Sequence, residues 1–224
     1  MIVAPKVRTV DLAGPAGRLE AVVNEGKSGA PFAAVACHPH PLGGGTLHNK
    51  VVYHAMKVLN APEWGLEWPV LRFNFRGTGL SEGVHHGSAE SGDVLAAIDW
   101  IENEYGLPVV VVGFSFGAAM ALMACCNRAA EGKSPVRAIA ALGLPTQGQA
   151  RAYQYEFLKD CGIPKLFLSG DRDQFASANS LSQVVAQAGD PKQLVLVPAA
   201  DHFFTSQFQA MQQVLAGWLK EQVL

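Results

Sequence analysis

Between Leu107 and Leu122 the chain reads L-P-V-V-V-V-G-F-S-F-G-A-A-M-A-L. A β-branched apolar run reads as a buried strand, and the alanine-rich stretch behind it has the composition of a helix. Only Gly113-Phe114-Ser115-Phe116-Gly117 join the two, so the backbone must reverse within a few residues. The two glycines stand at i−2 and i+2 of Ser115. There a Cβ would strike the adjoining strand and helix in any turn sharp enough to expose the hydroxyl. A bare G-x-S-x-G has a plainer explanation, a glycine-rich connection whose serine caps the helix. With the strand before it and the helix after it, the pattern favours Ser115 as a nucleophile presented on an elbow.

The rest of the chain repeats the same strand and helix alternation. Val7 to Val23 holds two short alternating segments around Gly14-Pro15-Ala16-Gly17 and reads as an antiparallel hairpin. Strands follow at Phe32 to Cys37, Pro69 to Phe75, Pro108 to Gly113, Val136 to Leu142, Lys165 to Ser169 and Gln193 to Val197. Helices are expected at Asn49 to Leu59, Ser88 to Glu104, Phe116 to Ala130, Gln149 to Asp160, Ala176 to Ala188 and Thr205 to Glu221. Single apolar stripes, such as Val94, Ala97, Ile98 and Ile101, or Phe208, Met211, Leu215 and Trp218, give each helix one face for a sheet. Such a chain builds an α/β fold: a mostly parallel, doubly wound sheet with helices on both faces, its ligand site at the carboxyl ends of the strands.

The 224 residues show no repeat or linker, so a single domain spanning 1–224 is expected. Hydrophobic residues make up 49% and charged residues 16%, as a sheet covered on both faces requires. The net charge is −2 and no basic block occurs, which argues against a nucleic-acid partner. Lys6, Arg8 and Asp11 interrupt the N-terminal apolar residues, so neither a secretory segment nor a membrane span is expected there. Cys37, Cys125, Cys126 and Cys161 lack metal-type spacing and read as buried reduced thiols of a cytoplasmic protein. Monomer and homodimer are both compatible with the sequence.

A serine hydroxyl needs a general base, and the base needs an orienting group. His202, in Asp201-His202-Phe203-Phe204, follows the last strand and so lies at the same sheet edge as Ser115. For the acid, Asp171 and Asp173 follow the preceding strand, while Asp201 adjoins His202 too closely to face it. Asp173 is the expected partner, with Asp171 expected to fix the turn through backbone hydrogen bonds. Ser115, Asp173 and His202 then occur in the chain order of an α/β-hydrolase triad.

Three further motifs accompany the elbow. They are Cys37-His38-Pro39-His40-Pro41-Leu42-Gly43-Gly44-Gly45-Thr46, Asn49-Lys50-Val51-Val52, and the run from Arg72 to Gly83 that contains Arg76-Gly77-Thr78-Gly79-Leu80-Ser81. Together they resemble a family of small bacterial α/β-hydrolases related to dienelactone hydrolases and serine esterases, from about Leu19 to the C-terminus. The resemblance implies an α/β-hydrolase fold, no substantial cap, nucleophile Ser115, acid Asp173 and base His202. Leu42 stands where the family more often has an aromatic residue or His before its glycine pair, which implies a smaller pocket wall.

An oxyanion hole needs two N–H donors, one from the residue after the nucleophile, Phe116, and one from the loop after the first core strand. Pro39 and Pro41 have no N–H, which leaves His40 or Leu42. A rival reading makes His38, His40, His85 and His86 metal ligands, but no H-E-x-x-H helix or carboxylate cluster supports it. Arg76 is expected to anchor its loop to a carboxylate. No metal or organic cofactor is implied. The expected activity is hydrolysis of small carboxylic esters through an acyl-enzyme, with thioesters close behind. The alternatives are a peptidase or amidase of the same mechanism, or a catalytically silent binding module.

Overall fold

A computed structural model of the chain describes residues 7–132, 134–148 and 151–223. In chain order the elements are β1 (Val7–Gly14), β2 (Gly17–Asn24), β3 (Ala33–Cys37), α1 (Lys50–Asn60), β4 (Val70–Phe73), α2 (Ser91–Tyr105), β5 (Val109–Phe114) and α3 (Phe116–Ala130). Then come β6 (Val136–Leu142), the two-residue strands β7 (Gln147–Gly148) and β8 (Arg151–Ala152), β9 (Lys165–Gly170), α4 (Ala178–Gln187), β10 (Lys192–Val197) and α5 (Phe208–Val223). Eight strands form one sheet in the order β1-β2-β4-β3-β5-β6-β9-β10. From β4 to β10 neighbours run parallel, while β2 pairs antiparallel with both β1 and β4. The expected hairpin is present, closed by Pro15 and Ala16 between the paired Gly14 and Gly17.

Alternation along the central strands divides the core between two faces. Val109 and Val111 of β5 join one apolar cluster with Val94, Ala97, Ile98 and Ile101 of α2 and much of α3. Val110, Val112 and Phe114 join the other, with Val51, Val52 and Ala55 of α1 and Met211, Leu215 and Trp218 of α5. Burying an aliphatic side chain of this size contributes about 1.5–3 kcal/mol, so each stripe holds its helix to the sheet. From β3 the chain crosses to β4 on one side, whereas β5 lies on the other. The loops leaving β3 and β5 therefore diverge, and a crevice opens at their carboxyl ends.

Two expectations are corrected. No α-helix covers 151–160, where β8 is followed by an irregular stretch and a short 3₁₀ turn, Glu156–Leu158; Gln149 and Ala150 lie outside the described residues. Tyr153, Tyr155 and Phe157 alternate with the exposed Gln154 and Glu156 and pack partly against the core, a pattern that a helix of period 3.6 would not give. Nor are all four cysteines reduced: Cys126 of α3 and Cys161 form a disulfide, with Cα atoms 5.1 Å apart, while Cys37 and Cys125 are free and buried. Thirty-five residues separate the bonded pair, so only the packing of α3 against the segment before β9 brings them together.

Candidate active site

Ser115 sits between β5 and α3 with φ 55° and ψ −119°, a conformation that a residue with a side chain rarely adopts. Its N–H donates to the Leu142 carbonyl at 2.8 Å, and its own carbonyl accepts from Ala118 N–H at 2.9 Å. Both flanking glycines are sterically required. A Cβ on Gly113 would meet the Gly117 carbonyl and stand 2.6 Å from Ala118 Cα, and one on Gly117 would stand 2.5 Å from the carbonyl oxygens of Cys37 and His38.

Residues remote in sequence meet at the elbow. His202 follows β10, and its Nε2 lies 3.0 Å from Ser115 Oγ. On the other side of the ring, Nδ1 lies 2.8 Å from Asp173 Oδ2. An ionised carboxylate can only accept, so Nδ1 carries the proton and Nε2 faces the serine as an acceptor. Asp173 is itself fixed by Ser169 Oγ, which donates to Oδ2 at 2.9 Å, and by Phe175 N–H, which donates to Oδ1 at 2.8 Å. Asp173 and His202 are both buried.

Of the neighbouring acids, Asp171 is exposed on the turn, and the backbone bond that shapes this turn is accepted by Asp173 rather than by Asp171 as the sequence suggested. Asp201 Oδ1 accepts from Phe203 and Thr205 N–H, which pins the loop that carries His202. These two bonds hold the Asp201 carboxyl below the usual carboxylate range.

The loop after β3 faces the elbow. Leu42 N–H donates to His40 Nδ1 at 3.2 Å, and the N–H groups of Gly43, Gly44 and Gly45 donate to the carbonyls of His40 and Pro41. His38 is fully buried; its Nε2 accepts from Phe75 N–H at 3.0 Å and its Nδ1 donates to the Pro39 carbonyl at 2.7 Å. Both ring nitrogens of His38 are thus taken by the protein, which removes it from the rival metal set. His85 has Nδ1 2.9 Å from Glu90 Oε1, and its ring packs 4.8 Å from that of His40 and 5.5 Å from that of Phe116. Among the described residues no group of His, Cys, Asp and Glu is arranged to hold a metal ion. Arg76 finds its carboxylate in Asp93, 2.6 Å away at the start of α2.

Several supporting residues were not singled out from the sequence. Gly143 has φ 54°, and a Cβ there would stand 3.2 Å from His202 Cε1, so the glycine makes room for the imidazole. Ser169 is one inward position of β9, with no motif to mark it. Gln147 of β7 and Tyr153, which follows β8, help line a cavity of about 580 Å³ with Pro39, Leu42, Ser115, Phe175 and Phe203. That volume is in the range of small-molecule sites.

Comparison with known proteins bears on the family and the fold. A family model described as an alpha/beta hydrolase domain matches residues 54–218. The protein RP471 of Rickettsia prowazekii is 32% identical over 214 residues, covering 92% of this chain and 86% of that one. The crystal structure of XC6422 from Xanthomonas campestris, described as an a/b serine hydrolase without lid, superposes with a TM-score of 0.81 at 26% identity, covering 99% of this chain and 97% of that one. An alpha-beta serine hydrolase homologue from Coxiella burnetii gives a TM-score of 0.82 at 27% identity, over 98% and 99% of the respective chains.

Proposed function

The chain belongs to the alpha/beta hydrolase domain family, and for a member with this site we propose a serine hydrolase that cleaves small carboxylic esters through an acyl-enzyme. The observation that carries the reading is the continuous hydrogen-bonded line from Asp173 through His202 to Ser115, with steps of 2.8 and 3.0 Å. Ser115 Oγ attacks the ester carbonyl carbon while His202 Nε2 takes its proton. Asp173 holds the Nδ1–H tautomer and stabilises the imidazolium. The negative oxygen is held by the N–H of Phe116 and by one from the loop after β3. That second N–H comes from His40 or Leu42, and the Leu42 N–H lies 3.2 Å from His40 Nδ1. Collapse of the intermediate breaks the ester C–O bond, and the leaving oxygen takes the proton from Nε2. Water then repeats the sequence to release the acid. No step calls for a cofactor.

The domain is proposed to be a single hydrolase unit with no substantial cap. Between β6 and β9 the described residues contain only β7, β8 and a 3₁₀ turn, little more than a crossover requires. Such a site has no hydrophobic lid to move onto a lipid surface, and a short-chain ester should show no jump in rate at its solubility limit.

No described helix is long and apolar enough to cross a membrane. The cytoplasm is proposed as the compartment; because the Cys126–Cys161 disulfide favours an oxidising setting, thiols counted in alkylated cell extract test it. With the extract denatured so that the buried Cys37 and Cys125 are reached, four alkylated thiols support the cytoplasm and two argue against it.

The test of the function is covalent labelling. A fluorophosphonate should add to the parent chain and not to Ser115→Ala, read by intact-protein mass spectrometry, and the same variant should not hydrolyse p-nitrophenyl acetate. An adduct that persists in Ser115→Ala removes the assignment.

A further inference from the structure

The cavity at Ser115 has two unlike halves. Phe175 and Phe203 line one side, and both pack on the imidazole of His202, with ring centroids 4.5 and 5.1 Å from it. Tyr153 lines the same cavity. The segment between β3 and α1 supplies a second set of lining residues, Leu42, the three successive glycines 43–45, and Asn49, whose Oδ1 is tied to Val51 N–H at the start of α1. The His40 ring of that segment is packed against His85 and Phe116.

The chemistry proposed above assigns a substrate part to each half, and the present inference rests on that reading. At the tetrahedral carbon one bond goes to Ser115 Oγ and one oxygen points to the loop amides. The leaving oxygen must come within hydrogen-bond reach of His202 Nε2, because that atom returns the proton. The carbons attached to the leaving oxygen therefore come against the rings that flank His202, and the acyl carbons extend toward the glycine side. Phe203 is 46% exposed, a large apolar ring at the mouth of the cavity that a second ring would cover.

We infer that the aromatic rings around His202 form the binding slot of the leaving alcohol, so that the preferred substrates are esters of a small acid with an aromatic alcohol of the arylmethyl type. Phe203 and Phe175 are then specificity-determining residues, and the glycine side sets a small acyl limit.

Benzyl acetate and methyl phenylacetate test this directly. They are isomers, their leaving alcohols differ little in acidity, and the ring lies on the alcohol side of one and on the acyl side of the other. The parent protein should show kcat/KM at least about tenfold higher for benzyl acetate, the scale of one well-placed aromatic contact. Phe203→Ala should cut that preference about fivefold or more, slowing benzyl acetate more than methyl phenylacetate, and Phe203→Leu recovers part of the preference. Equal or reversed rates on the isomers overturn the inference. So does a Phe203→Ala variant that slows both esters alike, since Phe203 would then only hold His202 in place. If the parent hydrolyses neither isomer nor p-nitrophenyl acetate, the hydrolase reading itself fails and this inference with it.

Discussion

Acid should weaken this fold through one residue that takes no part in the chemistry. His38 is fully buried beneath the loop that faces Ser115, with Nε2 accepting from Phe75 N–H and Nδ1 donating to the Pro39 carbonyl. Burial lowers its pKa from the ordinary 6.5 to about 4, against the opposing effect of the Pro39 hydrogen bond and with a smaller push from His40. The folded value lies below the unfolded one, so the contribution to stability is complete above pH 6.5. As pH falls from there toward 4, the unfolded chain takes up a proton that the folded chain refuses, and stability is lost across that window. At about 1.4 kcal/mol per pH unit the loss amounts to about 3 kcal/mol. The perturbation is His38→Gln, which keeps polar atoms at the site but does not titrate. Urea unfolding of parent and variant at a series of pH values between 7.5 and 4 isolates the contribution, because every carboxylate titrates in both. We expect the parent to lose about 3 kcal/mol more than the variant over this range, whatever their difference at neutral pH. Parallel curves would refute the argument. Because the His38 carbonyl also packs on Gly117, the same acid range should loosen the elbow and depress hydrolysis before global unfolding.

Other outcomes follow from the same contacts. Asp173→Asn should fold normally yet lower kcat by about 10⁴-fold through loss of tautomer control, whereas the exposed Asp171→Asn should change it little; steady-state kinetics on a common ester compares them. Gly143→Ala places a methyl group against His202 at a positive φ, so kcat should fall at least about tenfold with far-UV circular dichroism unchanged. Asp93→Ala leaves the Arg76 guanidinium buried without its carboxylate and should cost about 3 kcal/mol in urea unfolding; a change below about 0.5 kcal/mol would mean that water replaces the carboxylate there.

Much of the architecture was legible because it is written in local stereochemistry. The β-branched run Val109 to Val112, helical stripes of period 3.6 and a Gly-x-Ser-x-Gly turn each restrict the backbone within a few residues of themselves. The hairpin at Gly14 to Gly17, the limits of α3 and the strand-end positions of Ser115 and His202 all follow from such restrictions. Asp173 could be preferred over Asp201 for the same reason, since adjacent side chains on an extended chain point apart. The stretch 151–160 has a helix-like length but is not helical, because Tyr153, Tyr155 and Phe157 alternate with exposed residues. Those rings turn inward, and the Tyr155 hydroxyl donates to the Pro145 carbonyl at 2.6 Å.

The sequence by itself determined the class of fold, the elbow and the chain order of Ser115, Asp173 and His202, because each depends on sterics and periodicity that act along the chain. Tertiary structure alone decided the 2.8 Å contact of Asp173 with the imidazole, the pairing of Cys126 with Cys161, and the space that Gly143 yields to His202. Each of these pairings joins atoms carried by different loops or elements. A hydrogen bond or a disulfide forms only over a few ångströms, and those distances are set by how helices with apolar stripes settle on the two faces of the sheet.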